Sequence, residues 1–335
     1  MKLPENSYYF FLKGIIMNKR ELVTAAFRGE ELERVPVCMW KHVPEELWGD
    51  DDAFVKCQLD AYKESDVDFM KLSADKFFPW PDPILEGIEN AEDLYKMKSL
   101  GADHPWIRQQ IERTKKVIDG LNGDCISLYL IFVPLSYLRL KVGYPTMMKL
   151  IRENPEAMKY ACSVIAGDLK ILIKGILEEA GADGIFYSVQ NGEVNRFTAE
   201  EYADWVKPSD LEVLDYINSM TEFSSIHFCA WEEVPNRLEV WKYYHAKVVS
   251  WSRYIDLMDI EEAKKVFNAT VWGGFDNRPG TLLYTGTKEE IEEEVKSLIK
   301  QGGKKGYIIG SDCSIHDECS FERIRWVVEA ARKFS

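Results

Sequence analysis

A histidine and a cysteine two positions apart, together with a distant cysteine, are the residues best suited to chemistry in this sequence. His227 and Cys229 close one short β-type run, and Cys313 follows another near the C-terminus. Side chains two apart on a strand point to the same side, so the imidazole and the thiol can share one ion. A Cys2His set with an open fourth position is typical of a catalytic zinc site. The pattern predicts zinc bound by these three residues.

Two other interpretations of these residues stay open. A His-x-Cys pair on a strand is most often a packed thiol beside a hydrogen-bonded imidazole. The spacing Cys313-x-x-His316-x-x-Cys319 could instead form a site within one loop, although such a site is normally completed by another pair nearby. Either Cys313 or Cys319 could therefore be the third ligand. Four further cysteines are interpreted as core residues: Cys38, Cys57, Cys125 and Cys162.

Polar and aromatic side chains also stand near the ends of other β-type runs. The candidate catalytic residues are Lys71, Asp75, Tyr187, Gln190 and Asp276. The candidate cofactor-binding residues are Trp40, Trp251 and Gly274. Structural roles explain several of them equally well, because an aspartate can order a turn, a lysine can be solvated or paired, and a tryptophan can fill the core.

Eight β-type runs alternate with helical segments and must position these side chains. The runs are Val35–Trp40, Val67–Ser73, Cys125–Phe132, Gly184–Val189, Ser224–Cys229, Ala246–Trp251, Ala269–Gly274 and Gly306–Ser311. Helical signals are clearest in Thr198–Val206 and Thr287–Lys300. Eight βα units predict a (β/α)8 TIM barrel with its active site at the C-terminal ends of the strands.

Composition limits the classes of partner. The 335 residues carry a net charge of −14, which opposes binding to nucleic acid or to an acidic membrane surface. An odd count of seven cysteines favours reduced thiols and a cytoplasmic location. No apolar run is long enough for a membrane span. Residues 1–16 are expected to be an extension of unknown role, and residues 17–335 a single domain, whose oligomeric state stays open.

Several segments resemble the uroporphyrinogen decarboxylase superfamily. They are Arg20–Val37 (RELVTAAFRGEELERVPV), Gly181–Ile185 (GADGI), Ile226–Cys229 (IHFC) and Gly274–Ile309. The resemblance extends over nearly the whole chain from Met17 onward, and its closing stretch is the most specific part. It implies a (β/α)8 barrel.

Two branches of this superfamily differ at the first strand. True decarboxylases carry an arginine-rich segment there that grips the substrate's propionates, whereas this chain has Cys38-Met39-Trp40-Lys41-His42. The other branch, similar to methylcobamide:coenzyme M methyltransferases, binds zinc through residues that match His227, Cys229 and Cys313. This chain departs from that branch in the loop SDCSIHDEC.

The resemblance therefore implies a zinc-dependent methyltransferase. A methyl group would move between a corrinoid (cobalamin) on a partner protein and a thiol or another small methyl donor or acceptor, in a direction that the sequence leaves open. A separate corrinoid protein is expected because the chain has no cobalamin-binding pattern of its own. The alternatives are decarboxylation of a tetrapyrrole and a non-catalytic zinc-binding module that docks a corrinoid protein.

Overall fold

The computed structural model describes residues 17–334. The predicted extension, residues 1–16, lies outside the described residues, and the assignment of residues 17–335 to one domain stays a prediction.

Seven parallel strands form one sheet within the described residues. They are β1 (Phe69–Leu72), β2 (Ile126–Phe132), β3 (Gly184–Val189), β4 (Phe223–Phe228), β5 (Val248–Trp251), β6 (Thr270–Phe275) and β7 (Tyr307–Ser311). Each strand pairs with the next one along the chain, so the spatial order is the sequence order. The α/β class and seven of the eight predicted strands are confirmed.

The first predicted strand, Val35–Trp40, is not a strand in the structure. Pro36 lacks a backbone N–H, so this segment forms only an interrupted ladder. The Cys38 N–H donates to the Ile309 carbonyl of β7, and the Ile309 N–H donates to the Pro36 carbonyl. On the other side, the N–H of Asp68, just before β1, donates to the Val37 carbonyl. An extended segment thus contacts both edges of the sheet where the sequence predicted an eighth strand.

Helices follow the strands and cover the outside of the sheet. They are α1 (Lys19–Phe27), α2 (Asp51–Ser65), α3 (Pro105–Leu121), α4 (Pro134–Val142), α5 (Tyr144–Glu153), α6 (Pro155–Lys174), α7 (Ala199–Glu201), α8 (Lys207–Met220), α9 (Ile260–Phe267), α10 (Leu282–Thr285), α11 (Lys288–Gly302) and α12 (Phe321–Phe334). Short 3-10 turns occur in the connections, and π-helical turns follow α6 and α7. No helix in residues 17–334 is long and apolar enough to cross a membrane.

Local sequence explains the two helices that were predicted most clearly. Thr287 and Glu290 form a capping box at the start of α11, whose apolar face is buried. Thr198 and Glu201 form the same box at α7, and the helical chain then continues through a π-turn into α8. Capping oxygens satisfy N–H groups that the first helical turn leaves free, which fixes where each helix begins.

Strand register sets which side chains share the inner face. Ser188 of β3 pairs with His227 of β4, and His227 pairs with Ser250 of β5. Neighbours in register point to the same side of a sheet, while the residues before and after them point to the other side. Inner side chains near the strand ends therefore converge, and outer ones meet the helices.

Candidate metal centre

The His227 imidazole and the Cys229 and Cys313 thiols meet at the C-terminal ends of β4 and β7. Their ligand atoms all lie within 4.8 Å of one another. Zinc bonds of about 2.0–2.3 Å in a tetrahedron place ligand atoms roughly 3.5–4 Å apart, so small side-chain rotations would bring these atoms into a coordination shell. The structure thus unites residues more than eighty positions apart in sequence.

The surroundings of His227 fit a metal ligand. Its Nδ1 lies 3.0 Å from the Ser250 hydroxyl oxygen, while its Nε2 is buried without a hydrogen-bond partner among the described residues. Leaving a buried ring nitrogen unpaired costs free energy, unless an ion completes it. A second nitrogen held by a neighbouring group is the usual arrangement of a metal-binding histidine. The unpaired Nε2 atom and the Ser250 contact of His227 therefore fit a bound divalent ion.

The two thiols interact directly, and this interaction shifts their pKa values in opposite directions. Interaction with Cys229 holds the pKa of the Cys313 thiol well below its ordinary value, and the same interaction together with burial raises the pKa of Cys229. The thiolate form of Cys313 is thus favoured over that of Cys229. Thiolates are the form of cysteine that binds zinc.

A chain of hydrogen bonds leads from a buried carboxylate to the Cys313 thiol. Asp75 accepts hydrogen bonds from the Val43 N–H at 2.7 Å and from the Ser73 hydroxyl, and it lies 2.5 Å from the Nδ1 atom of His42. The Nε2 atom of His42 lies 2.8 Å from the Ser314 hydroxyl oxygen. That oxygen is 3.7 Å from the Cys313 sulfur.

The Asp75 carboxylate is stabilised in its charged form. Burial alone would raise its pKa, but the hydrogen bond from His42 and the nearby positive charge of Lys71 hold the pKa below its ordinary value. A charged carboxylate fixes the orientation of the His42 ring, and the ring in turn fixes the Ser314 hydroxyl. Asp75 is therefore linked to the Cys313 ligand candidate through His42 and Ser314.

A cavity of about 470 Å³ lies over the metal centre. Aromatic rings form much of its wall: Trp40, Phe78, Phe132, Phe186 and Trp231. Phe186 stacks on the His227 imidazole with ring centroids 5.5 Å apart, and Trp40 meets the same imidazole edge to face at 5.9 Å. A wall of this kind keeps water from the ligands and offers flat apolar surfaces to a bound molecule.

Six of the residues singled out in the sequence line this cavity. They are Trp40, Lys71, Gln190, His227, Cys229 and Cys313. Gln190 accepts a hydrogen bond from the Arg139 guanidinium, which also lies over the Trp231 ring at 4.4 Å. The Lys71 ammonium lies 5.9 Å from the centroid of the Trp40 ring and 5.8 Å from that of Phe186.

Three other candidates lie outside the cavity lining. The Tyr187 hydroxyl donates to the Asp210 carbonyl of α8, on the outer face of β3. The Trp251 indole donates to the Met258 carbonyl on the outer face of β5. Gly274 has a φ of +144°, and a Cβ there would lie 2.9 Å from the Tyr307 hydroxyl. The structure thus gives these residues packing and backbone roles.

Asp276 also stays outside the lining, although it lies just beyond β6. Its carboxylate accepts hydrogen bonds from the Arg278 guanidinium and, at 3.0 Å, from the Arg278 N–H. This arrangement orders the turn after β6, which is the ordinary role of an aspartate there. Arg278 itself does line the cavity, and its guanidinium also lies 3.8 Å from Glu233.

Cys319 does not lie with the other ligands. Its buried thiol contacts the Leu283 carbonyl at 3.7 Å, near α10. The described residues therefore offer Cys313 as the third ligand, and His316 contributes to the cavity wall instead.

Sequence reasoning missed His42, Ser314 and Ser250. His42 and Ser314 are 272 positions apart, and nothing local in the sequence joins them. A signal for Ser250 is present in the sequence, because Ser250 lies in the strand that follows the His227 strand. If these two strands are neighbours in register, Ser250 shares the inner face with His227.

Comparison with known proteins places the chain in a family. A profile described as uroporphyrinogen decarboxylase (URO-D) matches residues 80–334. The chain belongs to the uroporphyrinogen decarboxylase family. Among curated proteins, none matches this member of the URO-D family.

Solved structures share the fold of this URO-D family member. A methyltransferase from Methanosarcina mazei superimposes with a TM-score of 0.72 at 16% identity, covering 95% of this chain and 99% of that one. A B12-independent methionine synthase from a Shewanella species has a TM-score of 0.55 at 13% identity, covering 90% of this chain and 97% of that one. At these identities the likeness concerns the fold.

Proposed function

We propose that this chain is a zinc-dependent methyltransferase that moves a methyl group between a corrinoid on a partner protein and a thiol or another small methyl donor or acceptor. The observation that carries the proposal is the cluster of His227, Cys229 and Cys313 ligand atoms within 4.8 Å at one end of an aromatic cavity. The methyltransferase from Methanosarcina mazei, which has the same fold, adds support.

Residues of this chain would bind the zinc ion, orient its ligands and shield them from water. Zinc held by His227, Cys229 and Cys313 would supply a positive centre that favours the thiolate form of a bound thiol. Ser250 orients the imidazole, and the Asp75–His42–Ser314 chain orients the group next to the Cys313 sulfur. Trp40 and Phe186 exclude water beside the ligands, which strengthens electrostatic interactions there.

The described cysteines support a reducing, cytoplasmic setting for this reaction. All seven are free thiols in the structure. Thiols are kept reduced in the cytosol, where disulfides are rare.

We further infer that residues 36–38 take the place of an eighth strand and complete a (β/α)8 barrel. The backbone hydrogen bonds to Ile309 on one side and from Asp68 on the other support this inference. A completed barrel would hold the ends of β4 and β7 at a fixed separation, as a two-sulfur site requires.

Tetrapyrrole decarboxylation is less well supported by the cavity. A substrate with several propionates needs several cations. The lysine and arginine side chains that line the cavity in the described part of the chain are Lys71 and Arg278, and Arg278 is already paired with Asp276 and Glu233.

The test combines metal analysis with an assay. The purified parent is expected to hold one zinc per chain and to methylate at least one member of a thiol panel from methylcobalamin. Cys229→Ala and Cys313→Ala should lose both properties, whereas Cys162→Ala, which removes a buried thiol of α6, should keep them.

Other outcomes identify the alternatives. Full zinc content in both site variants would overturn the ligand set. Zinc binding by the parent without methyl transfer, together with capture of a corrinoid protein, would favour the docking module. Loss of carboxylates from uroporphyrinogen would favour the decarboxylase.

A further inference from the structure

We infer that the cavity receives a small molecule with a flat apolar body and an anionic oxygen group, and that Lys71 binds this anionic group. The inference deepens the proposed function and rests on it, because it names the substrate class of the same cavity. The observations that support this inference are the buried ammonium of Lys71 and the arrangement of charged groups around it.

Lys71 carries a buried ammonium without a hydrogen-bond or ion-pair partner among the described residues. Its side chain comes from the inner face of β1 and lines the cavity, and the residue is 5% exposed. Within residues 17–334, the ammonium has no hydrogen-bond acceptor and no carboxylate oxygen within 4.0 Å; its close neighbours are the rings of Trp40 and Phe186. Buried charges in proteins are normally paired, so this ammonium favours an anion from outside the chain.

The other charged groups of the cavity wall are already paired. Glu232 accepts a hydrogen bond from Arg196 at 2.8 Å. Glu233 lies 3.8 Å from Arg278, which also pairs with Asp276. In the proposed function, the two thiolates offset a divalent zinc ion. Asp75 attracts Lys71 from outside the cavity lining, beyond ion-pair distance. Within the lining, Lys71 therefore remains the cation without an ion-pair partner, and it selects for anions and against cations.

The aromatic wall determines the rest of the ligand. Trp40 and Phe186 each contact both the Lys71 ammonium and the His227 imidazole, so they lie between the cation and the metal centre. A ligand whose anionic group reaches Lys71 must pass its body along these rings to reach the metal centre. A flat apolar body fits such a path. A quaternary ammonium ligand would compete with Lys71 for the same ring faces.

Small aromatic probes of different charge test the inference by calorimetry on the full zinc-loaded chain. Benzoate and benzenesulfonate carry the anionic group, benzamide is neutral, and benzyltrimethylammonium is cationic. At least one anion is expected to bind at least about tenfold more tightly than benzamide, since hydrogen bonds to charged groups contribute that much. The two anions distinguish a carboxylate from a sulfonate ligand. The cation is expected not to bind.

Lys71→Met should abolish the preference for the anion while leaving benzamide affinity within about twofold. The control Lys207→Met removes an ammonium that also lies over an aromatic ring, Tyr243, at 4.8 Å, but outside the cavity. It should keep the preference. Lys71→Gln serves as the second variant if the methionine variant fails to fold.

Equal affinity of the parent for benzamide and both anions would overturn the inference. A preference that survives in a folded Lys71 variant would overturn it as well. Zinc content and methyl transfer report separately on the proposed function. Zinc-dependent transfer without anion preference would defeat only the inference on Lys71, whereas a Lys71-dependent preference in a protein without zinc would defeat the metal assignment.

Discussion

The inner and outer faces of β3, β4 and β5 carry different kinds of buried side chain. On the inner face, Ser188, His227 and Ser250 lie side by side, and His227 keeps one ring nitrogen without a partner. On the outer face, Tyr187 and Trp251 each donate a hydrogen bond to a backbone carbonyl and pack under helices or loops. Both faces are equally buried, so burial does not distinguish function from packing. A buried nitrogen without a hydrogen-bond partner, such as Nε2 of His227, does distinguish a functional side chain from a packed one.

The largest expected effect is on the outer face. Trp251→Ala removes a fully buried indole and its hydrogen bond to Met258, and it should lower the free energy of unfolding by about 3–5 kcal/mol. Chemical denaturation measures the loss. The amount of zinc bound per folded chain should remain the same. A selective loss of zinc in the folded variant would contradict the claim that outer-face side chains serve packing and inner-face side chains serve the metal site.

The next effect is on the inner face, in the neighbouring residue. Ser250→Ala removes the hydroxyl that holds the Nδ1 atom of His227, and it should weaken zinc binding about 10- to 100-fold. Competition with a zinc chelator measures the affinity. Stability of the zinc-free protein should change by less than about 1 kcal/mol. An unchanged zinc affinity would show that Ser250 does not orient the ligand.

A smaller effect is expected at Tyr187. Tyr187→Phe removes one hydrogen bond to the Asp210 carbonyl and should cost about 1 kcal/mol of stability. The rate of methyl transfer should stay within about twofold of the parent. A large loss of rate at unchanged stability would support the catalytic role that the sequence predicts for Tyr187.

The smallest effect is a dependence on pH at Asp75. Its folded pKa lies below the ordinary value of 3.8, so protons bind preferentially to the unfolded chain. The stabilisation is complete above the ordinary pKa and is lost as the pH falls through the lower folded value. Asp75→Asn should therefore flatten the acid limb of a stability curve measured by denaturation between pH 5 and about pH 2. An acid limb identical to the parent's would contradict the assignment.

The sequence predicted the strands better than it predicted the faces. Alternating β-type and helical runs located seven strands, and the spacing of His227 and Cys229 put two ligand candidates on one side of β4. Tyr187 and Trp251 also stand at strand ends, but their side chains point outward. To place a side chain in a barrel mouth, one needs both its position along the strand and the face of the sheet to which it points.

Other features depend on contacts that no local pattern reveals. The His42–Ser314 hydrogen bond joins residues 272 positions apart. The unpaired state of Lys71 is a property of every side chain around it, so the sequence could nominate this lysine without showing that its charge lacks a partner. Pro36 is the exception, since its missing N–H was a local signal against a regular first strand.

X-ray absorption spectroscopy at the zinc edge tests the central claim most directly. For the zinc-loaded chain we predict two sulfur ligands at about 2.3 Å and one imidazole nitrogen at about 2.0 Å, with the fourth position taken by a lighter atom. Adding a thiol that serves as a methyl acceptor should raise the sulfur count to three. A shell of four cysteine sulfurs, or one without sulfur, would contradict the assignment of His227, Cys229 and Cys313.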